Sequence, residues 1–160
     1  MKKILLVLIL ILTLGSHTMA YEEANYETIS KNENYEIRKY FDRLVIETDS
    51  TEGNGFRKLF NYISGNNEEK KEIKMTVPVT QENKDGNMKM QFYLPSKFNK
   101  DNAPKPSNPE IKVLNIEGGY YAVIKYSGRS SDKNFIKNKN ILEKELKKDD
   151  IVILSPPIRA

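Results

Sequence analysis

Two consecutive stretches organise this chain, Gly55-Phe56-Arg57-Lys58-Leu59-Phe60-Asn61-Tyr62-Ile63-Ser64-Gly65-Asn66-Asn67 and Ile73-Lys74-Met75-Thr76-Val77-Pro78-Val79. Four apolar side chains of the first stretch recur at i, i+3, i+4 and i+7, which places them in one stripe on a helix. They are Phe56, Leu59, Phe60 and Ile63. Gly65 and the asparagines after it tolerate the left-handed conformation in which helices often end. The pattern predicts a helix from about Glu52 to Ser64 and a strand from Ile73 to Val79.

The start of the chain has the features of a secretory signal peptide. Lys2 and Lys3 provide positive charge, an apolar run extends from Ile4 to Leu14, and Thr18-Met19-Ala20 offers a cleavage site. The apolar run is about eleven residues long, too short to cross roughly 30 Å of hydrocarbon comfortably as a helix. We therefore expect residues 1–20 to be a cleaved signal peptide and the mature protein to be periplasmic or secreted.

The mature chain lacks the side chains on which many enzymes and metal sites depend. The sequence has no cysteine, and its single histidine, His17, lies in the predicted signal. This excludes Ser-His-Asp and Cys-His catalysis, Cys/His zinc sites and imidazole or thiolate ligation of haem. The 26 basic residues fall to 24 without Lys2 and Lys3, against 22 acidic residues. A charge near +2 gives no indication of nucleic-acid binding.

Beyond the two opening stretches, the pattern predicts short strands and a second helix around one core. The strands are predicted at residues 35–41, 43–48, 88–94, 111–117, 120–126 and 151–154, with Gly118-Gly119 as a hairpin turn. The second helix is capped by Ser131 or Asp132, and its buried stripe is predicted to be Phe135, Leu142 and Leu146, with Ile141 beside it. The proline-rich residues 95–110 are either an ordered surface connection or a mobile loop.

The order of these elements indicates the fold class. Two strands, a helix and two strands are followed by two strands, a helix and one strand, which suggests a pair of pseudo-repeats. Short antiparallel strands with two helices are typical of an α+β domain, here one whose sheet curls toward a barrel. About 140 mature residues are enough for one domain with a sizeable core.

Six motifs, in order, resemble those of the SOUL haem-binding protein family. They are Tyr35-Glu36-Ile37-Arg38-Lys39-Tyr40, the helix from Phe56 to Asn67, Met75-Thr76-Val77-Pro78-Val79, Tyr93-Leu94-Pro95-Ser96-Lys97, Pro104-Lys105-Pro106 and Ser127-Gly128. The resemblance implies a distorted antiparallel β-barrel of two pseudo-repeats with two flanking α-helices, forming a single domain over residues 21–160. It also implies non-covalent, reversible binding of haem or another tetrapyrrole, without catalysis at that site.

The chain departs from the family's pattern in two places. Some members have a histidine, a candidate axial ligand, where this chain has Lys39, and a lysine coordinates iron only after losing its proton. The resemblance therefore implies the mode of other members, in which apolar contacts beside the first helix hold the porphyrin. Family members also continue past a Pro-Pro segment into a final basic strand, whereas this sequence stops at Ala160. Either the sequence is truncated or the domain lacks its last strand.

A haem site of this kind needs a flat apolar wall and cations for two propionates. The candidate cofactor-binding residues are Phe56, Arg57, Lys58, Phe60, Ile63, Lys39 and Met75. The alternative is that the apolar residues simply pack onto the sheet and that the cations are a solvated face. Met88 and Met90 are more typical of core residues, and Tyr62, Tyr121 and Tyr126 are candidate phenolate ligands whose ordinary role would be packing.

We expect an exported carrier, buffer or sensor of tetrapyrroles that is not an enzyme and carries no metal site of its own. The alternative is a general small-molecule binding module with a non-haem ligand. A third possibility is an envelope protein that docks a partner through residues 95–110. We further expect a monomer without nucleic-acid partners and without stable membrane insertion after signal cleavage.

Overall fold

The computed structural model describes residues 21–84 and 86–160, so the predicted signal peptide lies outside the described residues. We number the elements in chain order. They are β1 Glu22–Glu23, β2 Tyr26–Lys31, β3 Glu36–Tyr40, β4 Arg43–Asp49, α1 Gly55–Ile63, β5 Thr76–Val77, β6 Val79–Lys84, β7 Asn87–Tyr93, β8 Lys112–Ile116, β9 Gly119–Val123 and α2 Asp132–Lys148. Apart from a short parallel pair of β1 and β5, the strands form two antiparallel sheets, β2-β3-β9 and β6-β7-β4-β8. The α+β class with two helices is confirmed.

The two sheets share one antiparallel ladder, in which the same two chain segments pair first in one sheet and then, after a bend, in the other. Strand β3 pairs with β9, and the strands that adjoin them, β4 and β8, pair with each other. Tyr40 is opposite Gly119 and Arg43 is opposite Ile116, so each side crosses the corner with the same number of residues and the register does not slip. The described strands do not close into a barrel, so the distorted barrel and the two pseudo-repeats stay predictions.

The predicted hairpin at Gly118-Gly119 is wrong. Strands β8 and β9 belong to different sheets and do not pair with each other. Gly118 instead lies at the corner of the ladder, where its N–H donates to Asp42 Oδ1 at 2.7 Å. A Cβ at Gly118 would lie 2.6 Å from the backbone oxygen of Tyr40, so the corner has room only for glycine.

Helix α1 packs on one face of the four-stranded sheet and supplies the centre of the core. Its Leu59, Tyr62 and Ile63 are buried. They pack with side chains of β4, β7 and the following loop, namely Leu44, Ile46, Met90, Phe92, Leu94 and Phe98. The helix begins at Gly55 and not near Glu52, because Gly53, at φ +76°, closes a turn in which its N–H donates to Ser50 O at 2.9 Å.

The end of α1 is tied to the proline-rich connection. The Tyr62 hydroxyl donates to the carbonyl of Pro104, and both residues are fully buried. The buried amide of Asn67 donates to Tyr62 O at 3.0 Å, and Glu68 N–H donates to Lys105 O at 2.9 Å. The connection 95–110 is therefore attached to the end of α1 at Pro104 and Lys105, which favours the first of the two alternatives.

Several other boundaries differ from those predicted. The segment 73–79 is divided into β5 and β6 at Pro78, which has no N–H to donate. Strands β1 and β2 were not predicted, because β2 is mostly polar and exposed. The predicted strand at 151–154 is wrong: these apolar residues are exposed and pair with no strand among the described residues. Only Arg159, further on, forms a bridge with Gln81 of β6.

Helix α2 agrees with its prediction. The Ser131 side chain accepts from Asn134 N–H, as expected of an N-cap. Leu146 is buried, Phe135 and Leu142 are half-buried, and Ile141 is more exposed. Neither described helix is both long enough and apolar enough to cross a bilayer.

We predict that Gly118→Ala destabilises the protein by about 1–3 kcal/mol. The added methyl group would meet backbone atoms of Tyr40, Phe41 and Asp42, which cannot move without opening the ladder. Urea unfolding measures the change. Gly119→Ala is the matched control, because its Cβ would meet only the Tyr121 ring edge at 3.8 Å. Equal stability of the two variants would contradict the conclusion that the corner has room only for glycine at position 118.

We predict that Tyr62→Phe costs about 1–3 kcal/mol of unfolding free energy, because the Pro104 carbonyl would be left buried without a donor. Tyr120→Phe is the control, since the Tyr120 side chain is exposed and a surface change of this kind stays within about 0.5 kcal/mol. Thermal unfolding compares the two variants. A Tyr62→Phe protein as stable as the control would show that the connection is held by other contacts.

Candidate functional site

An exposed aromatic pair lies on α1. Phe56 and Phe60, one helical turn apart, stack with their ring centroids 6.0 Å apart and their planes 12° from parallel. They remain 48% and 47% exposed. The Phe56 ring also meets the buried Phe92 edge-on at 5.2 Å, which fixes the pair against the sheet. The predicted stripe is thus divided: Leu59 and Ile63 face the core, and the two phenylalanines offer an apolar surface to solvent.

Of the two predicted cations on α1, only Arg57 neighbours the pair. Arg57 is exposed and has no ion-pair partner among the described residues. Lys58 falls about 160–200° round the helix from the two rings, and its Nζ lies 2.8 Å from Glu110 Oε1, just before β8. The hydrogen bond from Lys58, followed by its charge, lowers the pKa of Glu110 below the usual range. Phe56 instead contacts Phe92 of β7, and β4 lies between β7 and β8, so the structure does not bring Lys58 to the aromatic pair.

The structure does not bring the other three predicted residues to this surface. Ile63 is 5% exposed and belongs to the core. Met75 is half-buried and packs against the same core. Lys39 lies on β3, between Glu27 of β2 and Tyr120 of β9, in the other sheet.

Apart from Tyr126, the candidate phenolate and thioether ligands have structural roles. Tyr62 is fully buried, and burial, with the charge of Glu69, raises the pKa of its phenol to about 12, so it stays protonated. Tyr121 packs against Tyr40 and Arg43. Met90 is buried and Met88 is half-buried on β7. Tyr126 is exposed beyond β9. No group of three or more His, Cys, Asp or Glu side chains among the described residues could hold a metal ion.

Two recesses lie in the described part of the molecule. A cleft of about 130 Å³ lies between residues 22–25 and the corner at 41–44. An open recess of about 240 Å³ is lined by polar residues of β4, β7, β8 and the preceding connection. Sites that enclose small molecules usually have volumes of about 300–1,000 Å³. Neither recess reaches that size, whereas the aromatic pair is an apolar surface that is already exposed.

Sequence reasoning missed a cluster of arginines and tyrosines where the two sheets meet. The Arg38 guanidinium lies 4.2 Å from the centre of the Tyr26 ring, and that of Arg43 lies 4.9–5.3 Å from the rings of Tyr40, Tyr93 and Tyr121. Hydrogen bonds from Lys31 and then Arg38 lower the pKa of Glu36 to about 2. The available signal was the spacing of Arg38 and Tyr40, which lie two residues apart and therefore on one face of β3. These tyrosine rings and guanidinium groups pack together where the antiparallel ladder bends.

Comparison with protein families identifies the chain. Residues 21–157 match the model of the SOUL heme-binding protein family. No curated protein matches significantly. The match brings with it a haem or other tetrapyrrole as a non-covalently bound ligand, and the chain's surface is compatible with that ligand. With a match that covers most of its length, the chain belongs to the SOUL haem-binding protein family.

Proposed function

We propose that this protein binds haem or a related tetrapyrrole on the outer face of α1, mainly by apolar contacts and without histidine ligation. The observation that carries the proposal is the exposed parallel pair of Phe56 and Phe60. Two aromatic rings of this size offer a substantial apolar area that water covers poorly. A porphyrin laid over them would remove that area from solvent without opening the core.

Charge supports the same surface. The propionates of a haem lie at one edge of the ring, and Arg57 follows Phe56 on the exposed part of the helix. Arginine forms a bidentate pair with carboxylates, so Arg57 would receive a propionate. This contact orients the ligand, while the apolar contact supplies most of the affinity.

The donor set of the described residues favours a mode that does not depend on iron. These residues contain neither histidine nor cysteine, the Tyr62 phenol is buried and protonated, and Met75 packs on the core. Haem and metal-free porphyrin should therefore bind with similar affinities. Reversible binding of this kind suits a carrier, buffer or sensor, and we propose that the protein is not an enzyme.

The proposal has a cellular and an architectural part. Residues 1–20 would direct export to the periplasm or beyond, and residues 21–160 would act as one monomeric domain. The continuous bent ladder, together with family membership, supports a distorted barrel built from two pseudo-repeats. A general binding module with a non-haem ligand is the alternative that the same experiments test.

We expect haemin and protoporphyrin IX each to bind saturably, one to one, to the chain that begins at Tyr21. Absorption of the Soret band measures both titrations. Phe56→Ala and Phe60→Ala should each weaken binding about tenfold, because each substitution removes roughly 1.5 kcal/mol or more of apolar contact. Phe41→Ala is the matched control, since Phe41 is 45% exposed but lies at the bend of the ladder.

The outcomes distinguish the hypotheses. Equal losses of porphyrin affinity in the Phe41→Ala protein and the α1 variants would show that the site does not lie on α1. A need for iron would contradict the apolar mode. No saturable binding of either porphyrin by folded protein would overturn the proposed function and favour a non-haem ligand, for which thermal stabilisation by other amphipathic compounds is the test.

We predict that Arg57→Gln weakens protoporphyrin IX binding about two- to fivefold, because it removes the exposed cation beside the aromatic pair. The dimethyl ester of protoporphyrin, which has no carboxylates, is the matched ligand and should show no loss. Lys58→Gln is the control variant, since Lys58 pairs with Glu110 on the other side of the helix, and it should leave the binding of both ligands unchanged. Fluorescence quenching of the porphyrins measures these differences. An equal change for acid and ester would show that Arg57 does not contact a propionate.

A further inference from the structure

Helix α2 carries its positive charge on one side. At about 3.6 residues per turn, five of its lysines fall within an arc of about 100° on the outward face. We call them the lysine stripe: Lys133, Lys137, Lys144, Lys147 and Lys148, all of them exposed. The opposite side bears Leu146 and Asn138, which are buried against the domain.

Most of this charge is not neutralised within the protein. The acidic residues of α2 already have partners: Asp132 pairs with Arg159, Glu143 with Lys139 and Glu145 with Lys148. Four lysines of the stripe have no ion-pair partner among the described residues. The outward face of α2 is therefore a cationic surface.

Exposed aliphatic side chains accompany the stripe. Ile136 and Ile141 lie on its two flanks at about 60–80° from its centre, and both are exposed. Directly after the helix comes the apolar run 151–154, Ile-Val-Ile-Leu, in which Val152 is 76% and Leu154 is 93% exposed. Ile151 N–H donates to Leu146 O at 2.9 Å, so the run is attached to the end of α2 where Lys147 and Lys148 lie.

We propose that the lysine stripe and the apolar run 151–154 together form a docking surface for an anionic lipid bilayer. A bilayer interface offers both features that this surface complements, phosphate charge and an apolar layer a few ångströms beneath it. Single-stranded nucleic acids are usually bound with stacking aromatic side chains, whereas the exposed side chains here are lysines and aliphatic residues. The protein lies on the membrane and does not cross it.

The test is co-sedimentation with vesicles, in the absence of any tetrapyrrole, so that the result is independent of the proposed haem site. The chain from Tyr21 contains every described helix and strand and omits the apolar run from Ile4 to Leu14, which could itself bind lipid. We expect binding to vesicles that contain phosphatidylglycerol and little binding to pure phosphatidylcholine. Added salt should weaken the binding, because it screens the exposed charges.

Changing the four unpaired stripe lysines to glutamine should weaken partitioning about fivefold for each charge removed. These are Lys133, Lys137, Lys144 and Lys147. The matched control removes the same charge elsewhere on the surface, at Lys74, Lys100, Lys105 and Lys125, all of them exposed and unpaired among the described residues. The control should retain most of the binding. Equal losses in the two quadruple variants would overturn the assignment, since only net charge would then matter.

A second readout tests the apolar run. The sequence has no tryptophan, so Leu154→Trp introduces a single reporter whose emission should shift to shorter wavelength on phosphatidylglycerol vesicles. Phe60→Trp provides the comparison on α1. A shift at position 60 without one at 154 would overturn the assignment, because α1 would then be the lipid-binding face.

Two further results would overturn the proposal. One is an absence of binding to the anionic vesicles by the unmodified chain at low salt. The other is binding of duplex DNA that depends on the stripe lysines, without any vesicle binding. The surface would then be a nucleic-acid site. Binding to anionic vesicles that is lost in the stripe variant, together with the tryptophan shift at position 154, supports it.

Discussion

The structure depends on the bend in a single antiparallel ladder. Two chain segments cross the corner in the same register, and the crossing is possible because Gly118 leaves room for the Tyr40 carbonyl and donates to Asp42. One ladder thus belongs to both sheets. On one side of the bend, helix α1 packs against one face of β4. The other face of β4 is directed toward the second sheet. The position of the aromatic pair on α1 follows from this arrangement.

The two faces of β4 are filled by different chemistry. Toward α1, Leu44 and Ile46 pack with aliphatic and aromatic side chains in an apolar core. On the other face, Arg43 lies over Tyr93 and Tyr121 from the two sheets, so a cation bound by aromatic rings fills the inside of the bend. A guanidinium has five donors and is weakly hydrated, which makes it better suited than lysine to such a half-buried place.

The sequence predicted the positions of helices and strands better than it predicted which residues they contact. The 3.6-residue period in α1 and the alternation in β7 depend only on neighbouring residues, and both were recognised. The predicted hairpin at Gly118-Gly119 is wrong because a glycine pair suits a tight corner as well as a turn. Only the contact of Gly118 with Asp42, 76 residues away in the sequence, decides between the two. The burial of Tyr62 was hidden for the same reason, since its partner Pro104 lies 42 residues further on.

The candidate site shows the same division. The stripe on α1 identified which side chains face one way, but its width exceeds what the sheet covers, so Leu59 and Ile63 are buried while Phe56 and Phe60 stay half-exposed. The buried half fixes the helix, and the exposed half is thereby held ready without any opening of the core. Part of each ring is already covered by its neighbour and, for Phe56, by Phe92. If the proposed site is correct, only the remaining area would contribute to binding, which would favour moderate affinity and release over permanent capture.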